Sequence, residues 1–157
     1  MSFILITDIN QAIRTFKQLS LPDRLVLLWL VYQRLRRAIT PAARHAVAIA
    51  DDFFSQVGRF SRADQLEALY GLITGRTTLI SREYDALPTD AKLAVWYRLA
   101  QGVDDGVIQP IPSYYKLSDE GARLFAAIEQ LDFEQQLGFL RGVILPDILH
   151  RNLHRFN

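Results

Sequence analysis

The sequence predicts an all-α protein, a single compact helical domain over residues 1–157, with 148–157 either a frayed tail or a last amphipathic turn. Three observations carry that expectation. Half of the 157 residues are hydrophobic, enough for a real core and too many for a disordered chain. Apolar residues recur at three- and four-residue spacing in one segment after another, the pattern of helices with a buried face. Capping residues and glycine or proline breaks separate those segments at helical lengths.

From Asp8 to Leu19, Ile9, Ala12, Ile13, Phe16 and Leu19 share one face of an amphipathic helix. Ser20-Leu21-Pro22-Asp23 then supplies a cap, a proline in the first turn and an acid three residues after the serine. The helix it starts, about Leu21 to Ala38, is apolar nearly all round through Trp29 and Tyr32, so it should be buried on more than one side. Thr40-Pro41 caps a third helix that carries Ala46, Val47, Ala50, Phe53, Phe54 and Val57 to a stop at Gly58. Ser61 opens a fourth, with Leu66, Leu69, Tyr70 and Ile73 inward and Gly75 as its C-terminal stop. Thr77 to Leu87 is ambiguous, with a short helical turn around Arg82 to Ala86 preferred. Pro88-Thr89-Asp90 launches a helix through Trp96. Ser118 caps another bearing Ala122, Phe125, Ile128 and Leu131. Asp132 and Gln135 form a second capping-box pattern, and Leu137, Leu140, Val143 and Ile144 follow until Pro146.

The stretch from Lys92 to Leu117 organises the rest. Leu93, Trp96, Leu99, Ala100 and Val103 keep a helical period that breaks from Gly102 to Gly106. Pro110 and Pro112 bias Gln109 and Ile111 to extended backbone and, lacking donors, keep the segment out of a sheet. This strap should lie across the helical layer and present Ile111, Pro112, Tyr114 and Tyr115. Against the Trp96-Tyr97 helix it makes a narrow aromatic slot, or else plain core under a loop.

Composition and motifs exclude several classes. No apolar run approaches the ~20 residues that span a bilayer; the longest, Leu25 to Tyr32, is too short. No basic-then-apolar leader opens the chain. With no cysteine, disulfides, thiol chemistry and cysteine-held metals are excluded, and the expected location is cytoplasmic. A net charge of +1 gives no electrostatic case for nucleic acid. The cations are almost all arginine, which suits bidentate docking on carboxylates, although nothing in their spacing argues against a mere compositional habit, the preferred reading.

No GxSxG, P-loop, GxGxxG or HExxH is present. Asp51-Asp52 and Asp104-Asp105 are adjacent, so on a helix each pair diverges by about 100° and does not converge on one substrate atom. His150 and His154, four apart, would share a helical face that could bind a metal, but no third ligand is near, and an exposed tail explains them as well. His45 stands alone, and nothing assigns a role to Tyr84 or Tyr97. The expectation is a binding protein, not an enzyme, with no metal site.

Several stretches together resemble a known family. They are FKQLS at Phe16–Ser20, LLWLVY with Trp29 and Tyr32 three apart, VWYRL around Trp96, GVIQPIPSYYKLS at Gly106–Ser118, and FLRGV at Phe139–Val143. From about Phe16 to Ile144 the chain resembles the N-terminal helical domain of the orange carotenoid protein, and specifically the stand-alone helical carotenoid proteins of cyanobacteria. The resemblance implies a keto-carotenoid, such as canthaxanthin or echinenone, in a tunnel through the domain. By motif, Tyr32 and Trp96 match the aromatic pair that sandwiches one terminal ring, and Trp29 matches a tunnel tryptophan beside the polyene. Leu25, Leu28, Leu66, Leu69, Leu93, Ala100, Val103, Ile111, Pro112, Tyr115 and Ile144 fall at lining positions. Arg141 matches the arginine with which two-domain relatives hold their domains together and dock on the phycobilisome.

A polyene offers no hydrogen bonds, so an aliphatic and aromatic lining is what it requires. The resemblance also implies departures. The second domain is absent, so a carotenoid would sit in a permanently open-form environment. Leu69 and Val103 stand where family tunnels often carry methionine, and Pro22 where relatives commonly carry an acid. The function expected is photoprotection by singlet-oxygen quenching. The alternatives are direct quenching of the phycobilisome through Arg141, or a helical protein-interaction module with a vestigial pocket. A carotenoid-donor protein resembling the missing domain is a further implied partner, and thylakoid association a further implied location.

Overall fold

The computed structural model of the chain describes residues 8–35, 44–75, 78–109, 111–112 and 114–144. Among these, eight helices and no strand are found: α1 (Ile9–Gln18), α2 (Leu21–Leu35), α3 (Arg44–Gly58), α4 (Arg62–Thr74), α5 (Leu79–Asp85), α6 (Thr89–Asp104), α7 (Asp119–Glu129) and α8 (Phe133–Ile144). The all-α expectation holds. Contacts divide the chain into two units, Met1–Thr40 with Ile111–Val143, and Pro41–Pro110 with Ile144–Asn157.

In the first unit, the Asp8 carboxylate accepts the Gln11 N–H at 2.8 Å and caps α1, which buries Ala12 and Phe16. The Arg24 guanidinium closes the other end of α1, donating to the carbonyls of Leu19 (3.1 Å) and Lys17. Ser20 caps α2 as expected, its Oγ accepting the Asp23 N–H at 3.3 Å. The Asp23 side chain does not complete that box; it turns to partners at the start of α7. α2 buries Leu25, Leu27, Leu28, Trp29, Val31, Tyr32 and Leu35, more than one side, as its apolar circumference requires. The predicted continuation to Ala38 and the Thr40-Pro41 cap lie outside the described residues.

Ser118 caps α7 by accepting the Gly121 N–H at 3.1 Å. The buried face of α7 differs from the expected one: it is Gly121, Leu124 and Ile128, while Ala122 is exposed and Phe125 half-buried. The cause is local. A Cβ at Gly121 would stand 3.2 Å from both Asp23 Oδ2 and Leu117 Cδ2, so the helix turns its one bare position to α2. At α8 both halves of the capping box form, Gln135 N–H to Asp132 Oδ1 at 2.8 Å and Asp132 N–H to Gln135 Oε1 at 3.1 Å. Phe16 of α1 meets Phe139 of α8 edge to face, with ring centroids 5.7 Å apart.

In the second unit, α6 packs chiefly against α3. The sequence breaks at Gly102, yet α6 runs through it to Asp104. A Cβ at Gly102 would lie 2.5 Å from Phe54 Cε2 and 2.7 Å from Ile108 Cγ1; the glycine is there for close approach and does not end the helix. α4 starts at Ser61, whose Oγ accepts the Asp64 N–H at 3.2 Å, and ends at Gly75 in the left-handed region, φ 78°. Gln65 of α4 is buried and takes the Gln109 N–H at 2.9 Å, while its amide donates to the Val107 carbonyl at 3.3 Å. The ambiguous segment becomes α5, longer than the turn expected, because Thr78 and Ser81 make a reciprocal capping box.

The strap is also not continuously extended. The Tyr115 N–H bonds to the Pro112 carbonyl at 3.0 Å, a turn that leaves Tyr114 83% exposed. Pro110, Pro146, His150, His154 and the tail lie outside the described residues, as does the His45 side chain.

Candidate functional site

Trp96 and Tyr84 are the focus of the second unit. Both are fully buried. The indole N–H of Trp96, on α6, donates to Tyr84 Oη, on α5, at 2.8 Å. The Tyr84 hydroxyl in turn donates to the Ile144 carbonyl at the end of α8. The rings of Tyr84 and Trp96 stand edge to face, 6.4 Å between centroids and 87° between planes. Phe53 of α3 meets Tyr84 from another direction at 6.4 Å and 75°. The Lys92 ammonium lies 5.4 Å from the Tyr84 ring centre and donates to the Asp85 carbonyl at 3.3 Å. Burial pushes the Tyr84 phenol far above its ordinary range, against the opposing pull of the Trp96 bond. Of the predicted lining residues in this unit, Leu69, Ala100 and Ile144 are buried, and Leu66, Leu93 and Val103 half-buried.

In the first unit, Leu25, Leu28, Trp29 and Tyr32 are buried along α2. Trp29 and Tyr32, three residues apart, share a face. Two residues before Leu25, the Asp23 carboxylate is 2% exposed. It accepts the Tyr115 hydroxyl at 2.6 Å, the Ser118 N–H at 3.2 Å and the Ser118 hydroxyl. Burial alone would raise the Asp23 carboxyl; the donors from Ser118 and Tyr115 outweigh it and hold the group below its ordinary 3.8. The same bond to Asp23, with burial, raises the Tyr115 phenol. Ile111 and Tyr115 are half-buried, and Pro112 and Arg141 exposed.

Of the sequence-predicted residues, Tyr115 is thus brought to the start of α2, and Ile144 is brought to Trp96 through Tyr84. Tyr32 belongs to the first unit and Trp96 to the second. Sequence reasoning missed two residues. Asp23 looks like a capping acid, and nothing nearby in sequence points to Tyr115 or Ser118, more than ninety positions away. Tyr84 falls in the ambiguous segment, although Ile80 and Tyr84, four apart and both buried, are the period that marks an inward helical face.

Comparison with known proteins converges on one family. The family model described as orange carotenoid protein, N-terminal, matches residues 3–146. An orange carotenoid-binding domain-containing protein of Nostoc sp. PCC 7120 is 36% identical over 138 residues, covering 87% of this chain and 81% of that protein. The structure of the red carotenoid protein of Anabaena (Nostoc) sp. PCC 7120 binding canthaxanthin superposes with a TM-score of 0.76 at 33% identity, covering 88% of this chain and 96% of that one. The orange carotenoid-binding protein of Limnospira maxima is 33% identical over 135 residues; the match covers 85% of this chain and 43% of that protein. No helix of the described residues is long and apolar enough to cross a membrane.

Proposed function

The chain belongs to the orange carotenoid protein N-terminal domain family, and on that premise we propose that it binds a keto-carotenoid of the canthaxanthin or echinenone type and protects against light by quenching singlet oxygen. In this reading the roles implied by the resemblance fall to Trp29, Tyr32, Ile111, Pro112 and Tyr115 of the first unit and to Trp96 of the second, each beside the aliphatic lining residues of its own unit. The protein supplies solubility, orientation and access; the pigment takes up the excitation and releases it as heat, and no residue is catalytic. The observation that supports it most is the state of Trp96: its N–H is taken up by Tyr84 at 2.8 Å, which suits a ring to a ligand that offers no hydrogen bonds along its chain. Aromatic faces against such a ring add about 0.5–1.5 kcal/mol each beyond burial.

Co-expression with canthaxanthin synthesis tests this. The expected product is orange to red, shortens the lifetime of singlet-oxygen luminescence, and loses most of its pigment on Trp96→Ala. A colourless product that also refuses pigment in vitro overturns it. If Trp96→Ala changes binding to a protein partner while colour is untouched, the chain is an interaction module instead.

A second reading, direct quenching of the phycobilisome, is favoured by the exposed side chain of Arg141 on α8. Pigmented protein should then lower the fluorescence of isolated phycobilisomes at low salt, and Arg141→Leu should abolish the effect with its colour intact. Delivery by a carotenoid-donor protein, in the cytoplasm or at the thylakoid surface, belongs to the same proposal.

A further inference from the structure

We propose that Tyr84 is the positioning residue of the pigment site, fixing the rotation of the Trp96 indole and coupling it to Ile144. The inference rests on the carotenoid reading above. Tyr84 itself is not among the lining residues. Its single hydroxyl has one proton to give and lone pairs to share. The proton goes to the Ile144 carbonyl and a lone pair accepts the Trp96 N–H, so one group serves two residues at lining positions with consistent polarity.

A tryptophan on a helix retains two side-chain torsions. The bond from Nε1 removes the freedom to flip the ring about the second. Tyr84 is itself held, by Phe53 edge to face and by Lys92 beside its ring, so the acceptor does not drift. A hydrogen bond to a fixed acceptor is the device by which a binding residue is held to productive geometry from behind. Phenylalanine at 84 would keep the edge-to-face contact and lose both hydrogen bonds. The hydroxyl therefore carries the function.

The test uses Tyr84→Phe in the full chain, with indole-labelled tryptophan. The chain has two tryptophans, so NMR shows two indole N–H signals, and Trp96→Phe identifies which belongs to Trp96. In the wild-type protein without pigment, the Trp96 N–H should exchange slowly with solvent. In Tyr84→Phe its signal should move and its exchange accelerate about tenfold, the scale of one lost hydrogen bond. Loaded with canthaxanthin, the same variant should show a displaced visible band and weaker induced circular dichroism. Phe139→Leu, a core control in the first unit matched for loss of Tm, should keep both spectral features.

Fast exchange of the Trp96 N–H in the wild-type protein overturns the inference without any variant. An unmoved indole signal in Tyr84→Phe, or a moved signal with an unchanged pigment spectrum, overturns it as well. Wild-type protein that takes up no canthaxanthin overturns the carotenoid reading itself, and the indole signals still decide whether Tyr84 holds Trp96.

Discussion

In the first unit Tyr115 is held by a carboxylate; in the second Trp96 is held by a phenol. Asp23 gathers three donors and stays ionised because together they exceed the cost of its burial. Tyr84 gathers one donor and one acceptor and stays neutral because burial forbids the phenolate. An ionised hub forms stronger, charge-assisted bonds, but its worth depends on the proton. A neutral hub is weaker and indifferent to pH. The difference predicts how each unit responds to the same perturbations.

The largest effect is expected at Asp23. Asp23→Ala removes the acceptor of three bonds, two from Ser118 and one from Tyr115, and should cost about 3 kcal/mol in urea denaturation. The pH dependence follows from the depressed carboxyl. Its folded value lies below 3.8, so the stabilisation is fully present above the unfolded value of about 3.9 and is lost as pH falls through the folded one. Asp23→Asn should flatten that acid limb while leaving the fold intact. An acid limb of unchanged slope in Asp23→Asn would remove Asp23 from the explanation.

Tyr84→Phe should cost less, about 1–2 kcal/mol for two neutral hydrogen bonds. Measured at pH 4 and at pH 7 the loss should be the same. A loss that varies between them would break the contrast between the two hubs.

The smallest effects sharpen the contrast at the surface. Arg34 of the first unit pairs with Glu129 at 2.7 Å, both side chains more than a third exposed, so Arg34→Ala should cost about 0.5 kcal/mol or less. Arg98 of the second unit pairs with Asp51 at 3.0 Å and also lies 3.7 Å from the centre of the Phe54 ring. Arg98→Ala should cost about 1 kcal/mol, the excess being the ring contact. High salt should erase the first loss and leave part of the second.

Helices that announce themselves through their own neighbours were legible in the sequence. The Ser20, Ser61 and Ser118 caps and the Asp132–Gln135 box are three-residue relations, and each forms. The buried stretch of α2 was legible for the same reason. What escaped depends on partners far along the chain. Gly102 reads as a break until Phe54 and Ile108 are seen against it, and Gly121 reads as no face at all until Asp23 stands beside it. A glycine contributes nothing to a hydrophobic period, yet both are buried. The candidate site divides the same way. Resemblance supplied Trp96 and Tyr115, while Tyr84 and Asp23, which hold them, emerge only from the fold.

The bond from Tyr84 to Ile144 spans sixty residues, and its unit is built from two separated stretches of chain. A ribosome delivers sequence N-terminus first, at about 5–20 residues per second. The α3–α6 stretch therefore emerges seconds before the carbonyl that completes the hold on Trp96, and closing that span adds its own loop entropy. Until Ile144 emerges, a nascent chain carries Trp96 and Tyr84 without the carbonyl that fixes the phenol. Under the proposed function, a pigment that needs the fixed indole would then be acquired only after Ile144 has been made.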